Sequence, residues 1–513
     1  MRQCSVSLTN ISKKYLQWAC TISQRHNILK YYFLFAKSED IVVFSSLSFI
    51  FVFLPVFLVL YYCLPVKFRN TLLLIGSLVF YSLGEPYYLF LIICSITVNY
   101  FLGRLIEHFE SNKSIKLLLF LADIIYNLGS LFIFKYTDFF IENINIMLKL
   151  LHVNWQFYLV GLTLPLGISF YTFQIMSYII DVYCGKIKAD RSVISLGAYL
   201  CMFPQLIAGP IVVYSDIKSE LSNRTTSVVK LDNGLKTFII GLGYKVIIAN
   251  RIGTLWNEVC TVGFESISTP MAWLGAFAYS MQLYFDFCGY SMMAIGLGEM
   301  LGFTMPVNFR HPYVARSVTD FWRRWHITLG AWFREYVYIP LGGNRKGKLR
   351  TIFNLFVVWF LVGFWHGAAW NFILWGLFIF ILQIIEKNIT LKFLNGKNIL
   401  SFIFSHIYMF IYIAISWILF AISDFKQLWI YLNRMLPFCG NGNIINSNDF
   451  IPYVKDYLVL IIICIIFATE FPEKIFDKIK NSILGIIICI AIFWCAVYYL
   501  SIGMNNPFLY FRF

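Results

Sequence analysis

Long apolar runs separated by short polar connectors dominate the hydropathy pattern of the chain. Stretches such as residues 355–365 and 483–500 are apolar on every side, without the alternating polarity of barrel strands. A run that crosses about 30 Å of hydrocarbon must be helical, because its backbone polar groups need partners within the segment. The pattern therefore predicts an all-α integral membrane protein.

The apolar runs predict about eleven to thirteen membrane passages in one domain, residues 41–513. They lie near residues 43–63, 71–83, 86–103, 115–135, 157–180, 194–212, 235–250, 270–302, 352–365, 368–386, 402–422, 457–470 and 483–502. Residues 1–40 form a polar, mildly basic extension without the apolar core of a cleavable signal peptide. No internal repeat is apparent, which counts against transporter folds built from paired repeats.

The segment 301–347 differs from its surroundings because it mixes aromatic with charged residues. It contains Asp320-Phe-Trp-Arg-Arg-Trp-His326 and Trp332-Phe-Arg-Glu-Tyr336. Trp, Tyr and Arg are typical of the membrane interface, and irregular backbone at membrane depth needs protein or a water-filled cavity around it. We expect short interfacial or re-entrant helices here, next to a cavity.

The composition agrees with a membrane location, and the positions of the basic residues explain the positive net charge. Hydrophobic residues make up 59% of the chain, charged residues 13%, and the mean hydropathy is +0.71. The formal net charge of +15 comes from basic residues gathered in connectors near residues 186–191, 218–230 and 310–350. The positive-inside rule places these connectors in the cytoplasm and the poorly charged loop 437–452 outside. Nucleic acid is therefore not an expected partner.

His366 is the first candidate for chemistry, because it lies between two long apolar runs with small residues beside it. Gly363 and Gly367 are spaced i, i+4, which permits close helix approach and suggests space next to the imidazole. A buried neutral imidazole is suited to deprotonating a hydroxyl. A structural histidine bonded to a neighbouring helix is the alternative.

Two further polar positions invite a functional interpretation. His326 follows two arginines, where an interfacial or capping histidine would look similar. Asp286 lies in an apolar helix with Gln282 four residues before it, and it needs a partner there. Pairing with an arginine of the 310–334 segment would make Asp286 structural, which is at least as expected as a catalytic role. We expect it to support the site.

Several catalytic signatures are missing from the sequence. No G-x-S-x-G elbow, phosphate-binding loop or H-E-x-x-H helix occurs, and the twelve cysteines show neither C-x-x-C pairs nor metal-ligand spacing. No metal site is therefore expected. The two histidines without a nucleophile or metal suit direct acyl transfer, in which a base activates a hydroxyl against an activated ester.

Five stretches in order carry a family resemblance: Leu164-Pro-Leu-Gly-Ile-Ser-Phe-Tyr-Thr-Phe-Gln174, Phe203-Pro-Gln-Leu-Ile-Ala-Gly-Pro210, 282–308, 320–343 and 363–371. They resemble the membrane-bound O-acyltransferase (MBOAT) family, within its bacterial branch that contains the alginate O-acetylation membrane protein. The resemblance implies membrane helices around a central funnel. It implies that His366 is the family's defining histidine, that His326 is its second polar residue, and that Trp365 and Asn371 lie in the matched motif.

The resemblance also implies a substrate class and a location. Relatives in this branch move acetyl groups from a cytoplasmic donor, acetyl-CoA, towards polysaccharide or peptidoglycan outside the cytoplasmic membrane of bacteria. They commonly work with an extracytoplasmic acetyltransferase of the serine-hydrolase-like type. The basic segment 310–350, and within it Arg323, Arg324 and Arg334, would attract the donor's phosphates. Transfer of D-alanine or another acyl group to teichoic acid or lipid, and non-catalytic transport, remain the alternatives.

Overall fold

The computed structural model describes residues 43–207, 209–394, 396–436 and 446–503. The predicted extension 1–40 and residues 437–445 of the outward loop lie outside this range. The described residues form helices and connectors, with no strand among them. The α-helices are α1 Leu54–Cys63, α2 Arg69–Gly84, α3 Leu89–His108, α4 Lys113–Leu150, α5 Ile168–Tyr183, α6 Val193–Cys201, α7 Phe203–Leu206, α8 Tyr214–Asn223, α9 Val228–Gly243, α10 Asn250–Val262, α11 Thr269–Met300, α12 Val318–Arg324, α13 Ile327–Phe333, α14 Lys348–His366, α15 Trp370–Ile385, α16 Leu391–Leu394, α17 Ile399–Ala421, α18 Phe425–Met435, α19 Phe450–Phe467, α20 Phe471–Ile479 and α21 Ile483–Ser501.

Nine helical segments in the described part of the chain are long and apolar enough to cross a membrane. They are Val66–Gly84, Pro86–His108, Lys113–Leu150, Val228–Val262, Lys348–His366, Trp370–Leu394, Ile399–Ala421, Phe450–Phe467 and Ile483–Ser501. The apolar helix Phe49–Cys63 is shorter. The predicted all-α, multi-pass class is confirmed, with nine candidate spans in the described residues where the sequence predicted about eleven to thirteen.

Two of the predicted passages are interrupted in the structure, and both contain proline. In the run 157–180 the chain is non-helical up to Gly167, whose φ is +72°, and only then begins α5. The run 194–212 divides into the short helices α6 and α7, with Pro204 near the start of α7. Proline lacks a backbone N–H and restricts the residue before it, which interrupts a helix even in an apolar run.

Helix α11 is the central element of the described fold. Of its 32 residues, 24 are buried, so it is enclosed on all sides by protein. Its Gly289 and Gly296 face Gly241 and Gly234 of α9, and a Cβ at Gly241 would lie 2.6 Å from the carbonyl oxygen of Gly289. Facing small residues let two membrane helices approach backbone to backbone. This packing fixes the face of α11 that meets the functional segment.

The aromatic and charged segment 301–347 contains short helices, as the sequence predicts. Helices α12 and α13 have seven residues each, and a π-helical turn Arg334–Tyr338 follows α13. His326 lies between α12 and α13 with a φ of +44°, a left-handed conformation that is uncommon for a residue with a side chain. The surrounding contacts hold this residue in place.

Candidate active site

Asn308 lies in the connector that precedes α12, and its side chain is hydrogen-bonded to His326. Its side-chain oxygen lies 3.1 Å from His326 Nδ1 and accepts hydrogen bonds from the Thr328 hydroxyl at 2.9 Å and the Thr328 backbone N–H at 3.3 Å. The backbone N–H of Ile327 donates to the Asn308 carbonyl at 3.0 Å. The Phe287 ring of α11 meets the imidazole edge to face at 4.8 Å.

These contacts decide which nitrogen of His326 carries the proton. The backbone N–H of Thr328 can only donate, so the Asn308 atom that it meets is the amide oxygen. His326 Nδ1 must then donate to that oxygen, and a neutral ring has its lone pair on Nε2. Nε2 is buried and has no hydrogen-bond partner among the described residues. In the neutral form of His326, the lone pair therefore lies on Nε2 rather than on Nδ1.

His366 is the last residue of α14 and is buried among aromatic rings. The ring centroids of Trp365, Trp375 and Phe420 lie 4.9, 5.1 and 5.3 Å from that of the imidazole. The expected space beside the imidazole is not created by the two glycines. A Cβ at Gly363 would meet the carbonyl of Phe372, and one at Gly367 would meet its ring. Both glycines instead allow α15 to pack closely against α14.

Helix α4 caps the end of α14 that carries His366. Lys135 Nζ donates to the carbonyl oxygens of Trp365 at 2.6 Å and His366 at 3.2 Å, and the Tyr136 hydroxyl donates to that of Phe364 at 2.8 Å. The last carbonyls of a helix lack partners within it and carry partial negative charge. The cap satisfies three of them and fixes the backbone of His366.

Trp365 brings the two histidines to one place. Its ring centroid lies 4.9 Å from that of His366 and 6.3 Å from that of His326. Its indole N–H points to the Ser169 carbonyl at 3.5 Å, and Phe173 of α5 stacks on it at 5.4 Å. The structure therefore assembles three of the predicted site residues from α14 and the α12–α13 junction.

A cavity of about 210 Å³ lies between α4 and the backbone just beyond His366. Lys135, Asp138 and Ala368 contribute to its lining. The Asp138 carboxylate accepts from the backbone N–H groups of Val160 and Gly161 at 2.8 and 3.0 Å, which ties the non-helical segment before α5 to α4. This cavity reaches the capped end of α14.

Asn371 supports the site at the start of α15. Its amide donates to the carbonyl oxygens of Leu419 at 3.3 Å and Phe420 at 3.0 Å, at the end of α17. Phe420 packs on the His366 ring. Asn371 thus positions an aromatic neighbour of the imidazole.

Asp286 has a different partner from the one expected. It forms an ion pair with Lys245 at 2.5 Å, with both side chains buried, rather than with an arginine of the 310–334 segment. Gln282, on the same face, lies against Gly253 of α10. Asp286 and Gln282 therefore lie on the face of α11 that packs against its neighbouring helices. Phe287 lies on the face that contacts His326.

The comparison with known proteins gives these histidines a family context. The model of the MBOAT, membrane-bound O-acyltransferase family matches residues 186–425, which include both. The chain is 41% identical over 378 residues to the probable alginate O-acetylase AlgI of Pseudomonas syringae pv. tomato, covering 74% of this chain and 72% of that protein. The chain belongs to the membrane-bound O-acyltransferase family. It is therefore a multi-pass O-acyltransferase, and family membership argues against the transporter alternative.

Two other relatives widen the range of chemistry in this membrane-bound O-acyltransferase group. The peptidoglycan O-acetyltransferase of Helicobacter pylori is 36% identical over 439 residues, covering 78% of this chain and 81% of that protein. The teichoic acid D-alanyltransferase of Bacillus subtilis is 31% identical over 224 residues, covering 42% of this chain and 56% of that protein.

The predicted donor-binding arginines of this O-acyltransferase have different surroundings. Arg323 and Arg334 are exposed. Arg324 is engaged by Asp320 at 3.0 Å and by Glu470 at 3.9 Å. Arg323 and Arg334 are thus better placed to meet an anion than Arg324.

Sequence reasoning missed two residues that hold the site. Lys135 is a single charge at the end of an apolar run, and such an isolated charge is a signal of function in membrane helices. Asn308 was recognised only as part of a motif. Its bond to His326 joins residues 18 positions apart, so no local pattern indicates it.

Proposed function

We propose that this enzyme takes an acetyl group from a cytoplasmic thioester donor, acetyl-CoA, and passes it across the bacterial cytoplasmic membrane for O-acetylation of an extracytoplasmic polysaccharide, alginate-like or peptidoglycan. The observation that carries the proposal is the pair of buried histidines whose rings both lie near that of Trp365. The names of the alginate and peptidoglycan relatives support the choice of acyl group and acceptor.

His366 acts as the general base in this proposal. Its neutral imidazole takes the proton of the acceptor hydroxyl, whose oxygen attacks the thioester carbonyl carbon. When no acceptor is present, water takes the place of that hydroxyl, and acetate forms instead of an ester. The tetrahedral intermediate collapses with cleavage of the carbon–sulfur bond, and the imidazolium returns the proton to the leaving thiolate. An ester and a free thiol result, without net proton uptake.

His326, whose ring also lies near that of Trp365, assists by positioning the acceptor. With its Nδ1 proton donated to Asn308, its Nε2 lone pair accepts a hydrogen bond from a second donor group of the acceptor, such as a neighbouring hydroxyl, and orients the acceptor, while the proton of the attacking hydroxyl goes to His366. Lys135 does not serve the reacting atoms in this scheme, because its ammonium already donates to the carbonyls of Trp365 and His366. Lys135 positions the base.

The identity of the acyl donor distinguishes this proposal from D-alanyl transfer. The 31% identity to the teichoic acid D-alanyltransferase supports that alternative. Purified protein in proteoliposomes is supplied with labelled acetyl-CoA or with a labelled D-alanyl carrier protein. We expect thiol release from acetyl-CoA and none above background from the carrier. Release from the carrier alone would replace acetyl transfer with D-alanyl transfer.

We further propose that a separate extracytoplasmic acetyltransferase of the serine-hydrolase-like type receives the acetyl group and modifies the glycan. The described residues are membrane helices with short connectors, which offer little surface for gripping a long polymer. Deleting the partner should abolish glycan acetylation while donor hydrolysis by the membrane enzyme continues. Glycan acetylation by the purified membrane enzyme alone would refute this two-component scheme.

A further inference from the structure

A second cavity, of about 550 Å³, lies between two helical segments. One segment is the π-helical turn Tyr244–Ala249 together with α10, and the other is α19. The two segments run antiparallel. Tyr244 packs on Phe467 at 6.1 Å at one end, and Tyr457 donates to Glu258 at 3.1 Å at the other. Both belong to candidate membrane spans, and α19 is largely exposed, so this groove borders the lipid.

Polarity changes along the groove from one end to the other. Ile247, Leu460 and Ile463 line the apolar end. Arg251 comes next along α10, and Glu258 and Asp456 line the end where α10 stops and α19 begins. The charged end therefore borders the connectors outside the spans, as headgroups do at a membrane surface.

Two contacts shape the charged end. Arg251 Nη1 donates to the Tyr499 hydroxyl at 3.1 Å, and the guanidinium lies over the Tyr499 ring at 5.2 Å. This holds the arginine while further N–H groups remain able to donate to a phosphate. The Tyr457 hydroxyl, within 2.8 Å of the Thr254 hydroxyl, steadies the Glu258 carboxylate.

The order of these charges matches one class of lipid. Glu258 lies seven residues beyond Arg251, about 10 Å along the helix towards its end. In a zwitterionic phospholipid with an ammonium headgroup, acyl chains, phosphate and ammonium follow one another in the same direction. We propose that this groove binds one such phospholipid, with its phosphate on Arg251 and its ammonium between Glu258 and Asp456.

The lining also predicts a headgroup preference that is independent of the acyl-transfer chemistry. One cation and two carboxylates give it a net charge of −1. An anionic lipid would satisfy Arg251 but would face both carboxylates without a cation of its own. Phosphatidylethanolamine should therefore bind in preference to phosphatidylglycerol.

Native mass spectrometry of the full-length protein, titrated with phosphatidylethanolamine or phosphatidylglycerol of identical acyl chains, tests this inference. We expect one retained phosphatidylethanolamine, with an apparent Kd at least about 5-fold lower than that of phosphatidylglycerol. Glu258→Gln keeps the acceptor for Tyr457, and Asp456→Asn changes an exposed side chain, so both should fold. Each should reduce the preference to about 2-fold or less.

Arg251→Met should weaken both lipids, whereas the matched control Lys426→Met, which removes an exposed cation from α18, should leave the preference unchanged. Equal binding of the two lipids by the wild-type protein would overturn the proposal and leave only non-specific lipid contact. An unaltered preference in both carboxylate variants would also overturn it. A groove filled by the helix of another membrane protein would show no headgroup preference, which is the same negative result.

Discussion

His366 is enclosed by Trp365, Trp375 and Phe420, so a small replacement would leave a cavity as well as remove a base. His366→Gln keeps most of the volume. We expect it to lower kcat by at least about 10²-fold with near-normal thermal stability, because a general base is lost. His406→Gln, at a half-buried position 14 residues before Phe420 in α17, is the control and should retain activity. An inactive but unfolded His366→Gln would instead favour a structural histidine.

Asn308 is predicted to affect catalysis by positioning His326, which its side-chain oxygen holds together with Thr328. Asn308→Ala removes the acceptor that holds the Nδ1 proton, a loss of about 1–3 kcal/mol for a buried hydrogen bond. We expect kcat to fall roughly 10- to 100-fold with little change in the KM for the donor. Equal activity with wild type in a steady-state assay would show that the tautomer of His326 does not matter.

The sequence indicates some residues of this site but not their partners. His366 and His326 stand out because polar groups are rare in apolar surroundings, and the family resemblance strengthened both. The partner of Asp286 was predicted wrongly as an arginine, because Lys245 lies in a different helix and only the packing of α9 against α11 brings it near. Contacts between distant segments leave no local pattern.

At the scale of helices, we predict that the contact between α4 and the end of α14 supports catalysis. Lys135→Met removes two hydrogen bonds to the end of α14, whereas Tyr136→Phe removes one neutral bond. Bonds from charged donors are worth about 1.5–3 kcal/mol and neutral ones about 0.5–1.5. We expect kcat to fall about 10-fold or more in Lys135→Met and less in Tyr136→Phe, with the KM for the donor unchanged. The reverse order would contradict the capping role.

Hydropathy predicted helices well where the apolar runs are continuous. The runs 352–365 and 368–386 correspond to α14 and α15, and His366 lies at their junction as predicted. The run 157–180 differs because composition alone does not register the proline and glycine that delay α5 to Ile168. That delay places irregular backbone beside α4, where it lines the cavity next to His366.

At the scale of the whole molecule, the charge distribution predicts sidedness. In a background without the exposed native cysteines, Lys348→Cys should react with an impermeant thiol reagent only from the cytoplasm, and Ser447→Cys only from outside. Both positions are exposed in the described structure. Reversed labelling would overturn the positive-inside assignment and the proposed direction of acyl flow.

The donor-facing surface gives a second whole-molecule prediction. Arg323→Gln and Arg334→Gln should together raise the KM for acetyl-CoA several-fold, with a weaker dependence on salt, because they remove exposed cations that attract its phosphates. Lys149→Gln, at the far end of α4, is the matched control. An unchanged KM in the double variant would remove these arginines from the donor site.

The central claim is that His366 activates a hydroxyl against an acetyl thioester. Its most direct test is the rate of thiol release from labelled acetyl-CoA by purified protein in proteoliposomes, compared between wild type and His366→Gln at equal amounts of folded protein. The mechanism predicts measurable release by wild type and a rate at least about 10²-fold lower in the variant. Equal rates from the two proteins would contradict it.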